Sequence, residues 1–350
     1  MGKELIFSGK KNFFERMKKE FQRKDILVTG GCGSIGSELV AQLLKFNPKR
    51  VRVFDNNESG LFNLQQKLDS SLIRILIGDI RDKERLRLAV MGCDIVFHAA
   101  ALKHVPLCEY NPFEAVNTNV LGTQNLVEVS RDEKVGKFIS ISTDKAVNPI
   151  NTMGATKLLA EKIVMTGDIG VGCETKFSCV RFGNVLDSVG SVIPIFRCQI
   201  KRGGPVTITS PDMVRFFMSM PQAVNLILKA ATLTKGRDTF ILKMNKLRII
   251  DLAEVMIKRF SPIYSQDPKK IRIKMIGLRP GEKLDEKLVT NEEEHNVFDL
   301  GDFYVLRIPK ILPSKVSFSK SKNVSISNQR VELLSKDEIE ELLERYSLIK

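Results

Sequence analysis

Tryptophan is absent from the 350 residues, tyrosine occurs four times and histidine three times. So few flat polar rings offer no interleaved platform on which bases could stack, which argues against a nucleic-acid-binding surface. His98, His104 and His295 show no ligand spacing, and the six cysteines contain no CxxC pair. A disulfide framework and a zinc site are therefore excluded as organising elements, no metal is expected, and the thiols read as buried and reduced. No stretch approaches the roughly 18 consecutive apolar residues of a membrane-spanning helix, and the basic N-terminus leads into no apolar run with a cleavage site. A cytoplasmic protein is expected. Acidic residues are outnumbered 41 to 55, and the formal net charge of +14 favours an anionic partner without choosing among nucleotide diphosphate, nucleic acid and acidic lipid. With 43% hydrophobic and 27% charged residues, disorder is excluded and the length allows one large or two modest domains.

What is present is an alternation of short β-rich apolar runs with helical patterns. Candidate strands lie at 25–29, 50–54, 73–77, 94–98, 137–142 and 176–181, with helix-length segments at 34–46, 82–91 and 112–133 between them. Crossovers of that length predict an α/β fold, a Rossmann-like doubly wound parallel sheet. Past residue 190 the alternation loosens around Gly203-Gly204-Pro205 and Arg279-Pro280-Gly281, so a smaller C-terminal substrate-binding lobe is expected around the last strands. The expected division is thus a basic extension over 1–24, a dinucleotide-binding domain over 25–190, and a mainly substrate-binding lobe with a terminal helix over 191–350. That helix opens with the capping box Ser335-Lys-Asp-Glu338 and carries Ile339, Leu342 and Leu343 on one face, after an irregular Ser/Lys-rich connection over 314–327. In the extension, Phe13, Phe14, Met17 and Phe21 share a helical face. Docking on the same chain or a neighbouring subunit is the expected use of that face, with weak membrane-surface association as the alternative.

Directly after the first strand comes Thr29-Gly30-Gly31-Cys32-Gly33-Ser34-Ile35-Gly36, a GxGxxG turn leading into a helix. Glycines let the backbone turn tightly against a pyrophosphate, and the helix start supplies free N–H groups, so Gly30, Gly33, Ser34, Ile35 and Gly36 are expected to hold a dinucleotide. Asp55 ends the second strand, 19 positions after Gly36, where its carboxylate can accept from an adenosine ribose. No cation follows in Asn56-Asn57-Glu58, which favours NAD over NADP, although Arg52 inside the strand is a cation whose side chain could reach back. At the end of the third strand Asp79 is a candidate for the adenine edge, with a solvated turn as the alternative, Ile80 beside it is a further cofactor candidate, and so is Ala99 directly after the fourth strand.

The fifth strand runs into Thr143-Asp144-Lys145, and Asn148-Pro-Ile-Asn-Thr-Met-Gly-Ala-Thr-Lys157 follows. Ligands of open α/β sheets bind at such strand ends. With the glycine turn, these segments resemble the extended short-chain dehydrogenase/reductase superfamily, and more closely its UDP-N-acetylglucosamine 4,6-dehydratases of polysaccharide biosynthesis. Val180-Arg-Phe-Gly-Asn-Val185, Gly190-Ser-Val-Ile-Pro194, Met213-Val-Arg-Phe-Phe-Met218 and Gly277-Leu-Arg-Pro-Gly-Glu-Lys283 extend the resemblance over roughly residues 25–345. Dehydratases of deoxythymidine-diphosphate glucose usually carry Thr-Asp-Glu where this chain has Thr143-Asp144-Lys145.

The chain departs from that pattern at Asp187, where the family commonly has glycine, at Val214, where it commonly has threonine, and at Met153, where the YxxxK motif has its tyrosine. Methionine there resembles the subgroup that retains configuration at C5. The resemblance implies NAD as cofactor, UDP-N-acetylglucosamine as substrate and a homo-oligomer. The chemistry needs an acid for the departing C6 hydroxyl, for which Asp144 is the candidate if kept protonated. It also needs a base at C5, for which Lys145 is the candidate if neutral. Thr143 is expected at the C4 oxygen and Lys157 on the nicotinamide ribose. For the substrate, the resemblance points to Arg215 and Arg279 on the diphosphate, Asn184 near the glycosyl phosphate, Glu282 on the uridine ribose, and Lys103 reaching substrate or cofactor. The competing expectations are a C5-inverting dehydratase, a nucleotide-sugar 4-epimerase, and a degenerate NAD-binding regulator without turnover.

Overall fold

The computed structural model describes residues 13–169, 172–307, 331–346 and 348. The six expected strands form within a residue or so of their predicted bounds: β1 (Asp25–Thr29), β2 (Arg50–Asp55), β3 (Ile73–Ile77), β4 (Ile95–His98), β5 (Lys137–Ile141) and β6 (Lys176–Arg181). All five residues of β1 are buried, because a central parallel strand is covered on both faces, whereas β3 at the sheet edge is partly exposed throughout. Farther along come β7 (Asn184–Val185), β8 (Val206–Ile208), β9 (Val214–Met218), β10 (Asp238–Leu242), β11 (Asn245–Arg248), β12 (Ile273–Met275), β13 (Val297–Asp299) and β14 (Phe303–Arg307).

Nine strands make the main sheet in the order β13-β14-β10-β6-β5-β4-β1-β2-β3. Seven run parallel, from β3 through β10, and β14 and β13 close the far edge antiparallel. This is the expected doubly wound α/β architecture, and strand order reverses beside β1 and β4, the switch point at which such sheets open a crevice. Residues beyond 190 serve both layers. β10, β13, β14 and the helix Met220–Leu233 belong to the main sheet and its core. The small sheet β11-β9-β7, the pair β12-β8, and the helices Val192–Lys201 and Ile249–Ile263 build a second core around Phe196, Ile208, Leu252 and Phe260. The terminal helix Lys336–Arg345 seals that core with Ile339 and Leu343, its start held by the reciprocal Ser335 and Glu338 capping box. The Ser/Lys-rich connection lies outside the described residues.

The amphipathic segment docks on its own chain. Over 13–21 it is helical, and Phe21 is fully buried with its ring 5.4 Å from Phe46 and 6.3 Å from Phe97. Burial of such a ring is worth about 1.5–3 kcal/mol. Met17 is buried beside it, and Glu20 pairs with Lys137 at 2.6 Å. Met17 and Phe21 of the apolar face are therefore consumed within the molecule, while Phe14 remains half exposed; residues 1–12 lie outside the described residues. The thiols are free, as expected, yet not all are buried: Cys198 is exposed.

One helix holds a surprise. The segment expected as a single helix over 112–133 contains a π-helical turn, Val116–Leu121. Its extra residue per turn swings Asn119 inward. There Asn119 accepts from the Leu102 N–H (2.8 Å), donates to the Leu102 carbonyl (3.0 Å), and donates to Thr156 (3.0 Å). One side chain thus ties the loop after β4 to the helix that carries Lys157.

Candidate active site

The site is built at the carboxyl ends of β1, β4, β5 and β6. At Gly30, φ is +66° and an added Cβ would stand 2.5 Å from the Ala100 nitrogen, so the turn after β1 presses against the loop after β4. Gly36 packs as closely, since a Cβ there would lie 2.1 Å from the Gly30 carbonyl oxygen. The helix Ser34–Leu44 starts with no side-chain cap and no acidic residue in its first turn, which leaves its N–H groups facing the cleft that Gly30, Gly33, Ser34 and Ile35 line. That cradle fits the pyrophosphate of a dinucleotide.

Asp55 accepts from the Cys32 N–H and from the Asn57 N–H, each at 3.0 Å, one per carboxylate oxygen. The carboxylate is fixed beside the glycine turn, and each oxygen keeps a lone pair for a ribose hydroxyl. Burial, followed by the Asp55 charge, pushes the Cys32 thiol up to about 12, so this sulfur is inert. Arg52 does not reach back: it donates to the Ala89 and Met91 carbonyls (2.9 and 2.7 Å) and faces Asp25 at 3.5 Å. Asp79 is gripped by Arg81 through two side-chain hydrogen bonds of 3.0 and 2.7 Å, which hold its carboxyl below the usual range. It is thus an ion-paired turn residue rather than a solvated one. Ile80 is buried against Gly122, and Ala99 lines the cleft.

His98 is a structural residue. The Thr123 hydroxyl donates to the Asn119 carbonyl (2.7 Å), so His98 Nε2 donates to Thr123 (2.9 Å) and Nδ1 accepts from Thr29 (2.8 Å). Burial, with help from Lys157, pushes the imidazole down to about 3 and keeps it neutral.

In the middle of the cleft, Thr143 caps a short 3-10 turn, Asp144–Ala146. Its hydroxyl donates to Asp144 Oδ1 at 2.9 Å, and Lys145 Nζ donates to the same oxygen at 2.9 Å and to Asn184 Oδ1 at 3.2 Å. Asp144 is fully buried, and its second oxygen has no hydrogen-bond partner among the described residues. The pair is therefore a partly covered ion pair with a spare carboxylate oxygen behind the cleft wall. Lys157, buried on the helix Thr152–Met165, donates to the Ile141 carbonyl at 2.6 Å, which leaves two ammonium protons free, and burial holds its pKa below the lysine norm. Met153, one turn earlier, lines the same cleft.

The cleft holds about 620 Å³ and continues toward the second core. There Arg215 is buried, donates to the Val214 and Leu284 carbonyls (2.8 and 3.1 Å), and lies 3.9 Å from Glu282. Arg279 and Glu282 share one tight turn, closed by the Arg279 N–H to Glu282 at 3.2 Å. Lys103 donates to the Val189 carbonyl (2.8 Å), and the Val189 N–H donates to Ser34 (3.1 Å), so the 187–190 loop bridges the two ends of the cleft. Asp187 in this loop has φ +55°, a conformation suited to glycine, and is held by Arg197 at 3.2 Å. Of the sequence-predicted residues, Asp55, Asp79, Ile80 and Asp144 stand outside the cleft lining, and the others named above line it. Sequence reasoning did not single out the apolar far wall of Ile195, Phe196, Ile208 and Ile249, which lies past residue 190 where the regular alternation loosens.

The relatives that resemble this doubly wound sheet and its glycine turn include nucleotide-sugar dehydratases and epimerases with an NAD-binding fold. The chain belongs to the polysaccharide biosynthesis protein family, whose profile matches residues 26–308. It is 54% identical to an uncharacterized membrane protein of Methanocaldococcus jannaschii, across 96% of this chain and 100% of the relative. An inverting UDP-N-acetylglucosamine 4,6-dehydratase of Campylobacter jejuni is 36% identical, covering 88% of each chain. A UDP-glucose 4-epimerase of Rickettsia bellii is 42% identical over 83% of this chain and 84% of its own. The solved structure of Pen from Bacillus thuringiensis superposes with a TM-score of 0.87 at 41% identity, covering 94% of this chain and 99% of that one. DesIV, a dTDP-glucose 4,6-dehydratase from Streptomyces venezuelae solved with NAD and TYD, shares the fold at 22% identity and a TM-score of 0.68, over 77% of this chain and 89% of its own. Among the described residues no helix is long and apolar enough to cross a membrane.

Proposed function

We propose that the protein is a UDP-N-acetylglucosamine 4,6-dehydratase, using NAD and retaining configuration at C5. The observation that carries the reading is the line from Thr143 Oγ1 through Asp144 Oδ1 to Lys145 Nζ, 2.9 Å at each step, with Met153 where a hydroxyl would otherwise stand. NAD, when bound, supplies the acceptor for hydride from sugar C4 and returns it to C6. The chain's own residues move the protons. Thr143 takes the C4 hydroxyl proton while passing its own to Asp144. Neutral Lys145 takes the C5 proton, Asp144 protonates the C6 hydroxyl, which leaves as water, and Lys145 gives its proton back to C5. The proton lost at C4 is the one that departs in water, so the cycle closes without a tyrosine. The cycle starts from the Asp144 carboxylate and neutral Lys145 and passes through their ion pair after water has left.

Around this centre, Gly30, Gly33, Ser34, Ile35 and Gly36 hold the pyrophosphate, Asp55 the adenosine ribose, Asp79 and Ile80 the adenine side, and Lys157 the nicotinamide ribose beside Ala99. Arg215 and Arg279 clamp the substrate diphosphate, with Asn184, Glu282 and Lys103 around it. The exposed Leu107 and Tyr110 on one helix, with Phe113 and Leu159 on neighbouring helices, support a homo-oligomer.

Incubation with UDP-N-acetylglucosamine, followed by mass spectrometry and NMR, is expected to give a product lighter by one water without consumption of added NAD. In deuterated water the product carries deuterium at C5 in the D configuration, because one ammonium serves both transfers and exchanges with solvent. An initial L product would instead establish the inverting reading, which the Campylobacter relative favours. A product still holding its C6 hydroxyl would establish an epimerase, and no turnover a regulator. Asp55→Ala is expected to weaken NAD binding about tenfold or more, since ribose hydroxyls lose a charged acceptor and two turn N–H groups lose their partner. Calorimetry on nucleotide-stripped protein measures this, and equal affinity would remove Asp55 from the cofactor site.

A further inference from the structure

Behind the Thr143-Asp144-Lys145 turn lies a second buried carboxyl that the mechanism above leaves unused. Glu286 sits in an irregular segment, is 2% exposed, and has one oxygen, Oε2, without a hydrogen-bond partner among the described residues. Lys283 approaches that oxygen at 3.4 Å and donates to the Val147 carbonyl at 2.8 Å, immediately after the catalytic turn. Glu286, Lys283, Arg215 and Lys145 all line one small cavity of about 160 Å³ opening off the main cleft. The charged groups facing Glu286 are Lys145 and Asp144 from the turn after β5, Lys283 from its own segment, and Arg215 from β9. Arg215 in turn faces Glu282.

We infer that Glu286 is a positioning residue for the proposed reaction, a buried carboxylate whose charge sets the pH range over which Asp144 and Lys145 exchange protons. The inference rests on the dehydratase reading for its purpose and on the cluster geometry for its physics. A solvated glutamate would be a weak influence, screened by water, whereas a buried one acts through low dielectric on every charge in the cavity. Burial raises the Glu286 carboxyl above its ordinary value, the Lys145 charge opposes that rise, and the Asp144 charge adds to it. A negative charge at Glu286 makes protons harder to remove from both members of the Asp144 and Lys145 pair.

The test is the pH dependence of Glu286→Gln, which keeps shape and hydrogen-bonding capacity while deleting the charge. Both limbs of the turnover profile are expected to move to lower pH by about one unit, whichever group sets which limb. Glu286→Asp should hold the limbs near wild type, and Lys283→Met, which removes a positive charge from the same cluster, should move them the opposite way. A second readout needs no substrate: competitive acetylation of Lys145 across pH, quantified by mass spectrometry, should reach half-reactivity about one unit lower in Glu286→Gln. Reduced turnover with unmoved limbs and an unmoved labelling midpoint would overturn the inference and leave Glu286 a packing residue. If wild type dehydrates nothing while the labelling midpoint shifts, the charge coupling stands and the dehydratase reading falls. Should Glu286→Gln fail to fold, the sign of the Lys283→Met shift decides, and no shift there overturns the inference.

Discussion

Asp144→Asn and Lys145→Ala are each expected to lower turnover of UDP-N-acetylglucosamine by about 10² or more, the scale of a positioned acid or base, while bound NAD is retained. Asparagine keeps the shape of Asp144 and its hydrogen bond from Thr143, yet it can neither receive the proton relayed from Thr143 nor deliver one to a leaving hydroxyl. Alanine at 145 removes the only side-chain amine hydrogen-bonded to that carboxylate among the described residues. It also leaves Asp144, fully buried, with a single remaining donor, the Thr143 hydroxyl. Since the two residues hand protons to each other, the double variant should cost little more than the worse single variant, rather than the product of both. Steady-state rates of water loss, with nucleotide content measured after denaturation, check both points. Near-normal turnover in either single variant would remove that residue from the mechanism, and full additivity would show that the two act independently.

How far such a site could be read before folding depends on the range of the interactions that make it. The strands around β1 and the glycine turn were legible because their signals are local: apolar runs bounded by turn residues, and glycines at fixed offsets before a helix. The neighbourhood of Thr143, Asp144, Lys145 and Lys157 was legible for the same reason, through their placement at a strand end and one helix turn beyond Met153. Glu286 was not. In Glu282-Lys-Leu-Asp-Glu-Lys287 it reads as one charge of a solvated run, and only the return of that segment against Val147, far earlier in the chain, buries it. Asn119 was hidden differently, since a helical periodicity cannot show the extra residue of a π turn. The destination of β10, β13 and β14 was hidden too, because each is a short apolar run whose pairing with β6 or with its neighbour is set by tertiary packing. The N-terminal helix announced an apolar face but not its partner, which proved to be Phe46 and Phe97.

Arg181, readable in the sixth strand as a structural ion-pair partner though not with which carboxylates, carries the largest expected effect on stability. It sits in β6 at 1% exposure and donates to both oxygens of Glu161 (3.1 and 2.6 Å), to both of Glu293 (2.8 and 3.1 Å), and to the Leu288 carbonyl (2.9 Å). One guanidinium therefore joins the helix of Lys157, which carries Glu161 one turn later, to the segment that follows Glu282 and Glu286. Arg181→Met fills similar volume but leaves two carboxylates in the interior without their cation, and breaking a buried pair this way costs about 3–5 kcal/mol. Thermal unfolding should fall by several degrees at neutral pH. The pH dependence distinguishes lost charge pairing from lost packing. Burial acts to raise the Glu293 carboxyl, but the hydrogen bonds and charge of Arg181 outweigh it and hold the group below the usual range, so wild type loses this stabilisation as pH falls through that lowered value. In the variant burial is opposed only by the Thr290 N–H and the Lys162 charge, the carboxyl is expected to bind its proton more tightly folded than unfolded, and stability is recovered as pH falls from neutrality toward 5. The deficit between variant and wild type should accordingly narrow on acidification. A deficit constant from pH 7 to 5 would mean that Arg181 contributes through packing alone, and its charge would have no part in holding the helix of Lys157 against the substrate-binding segment.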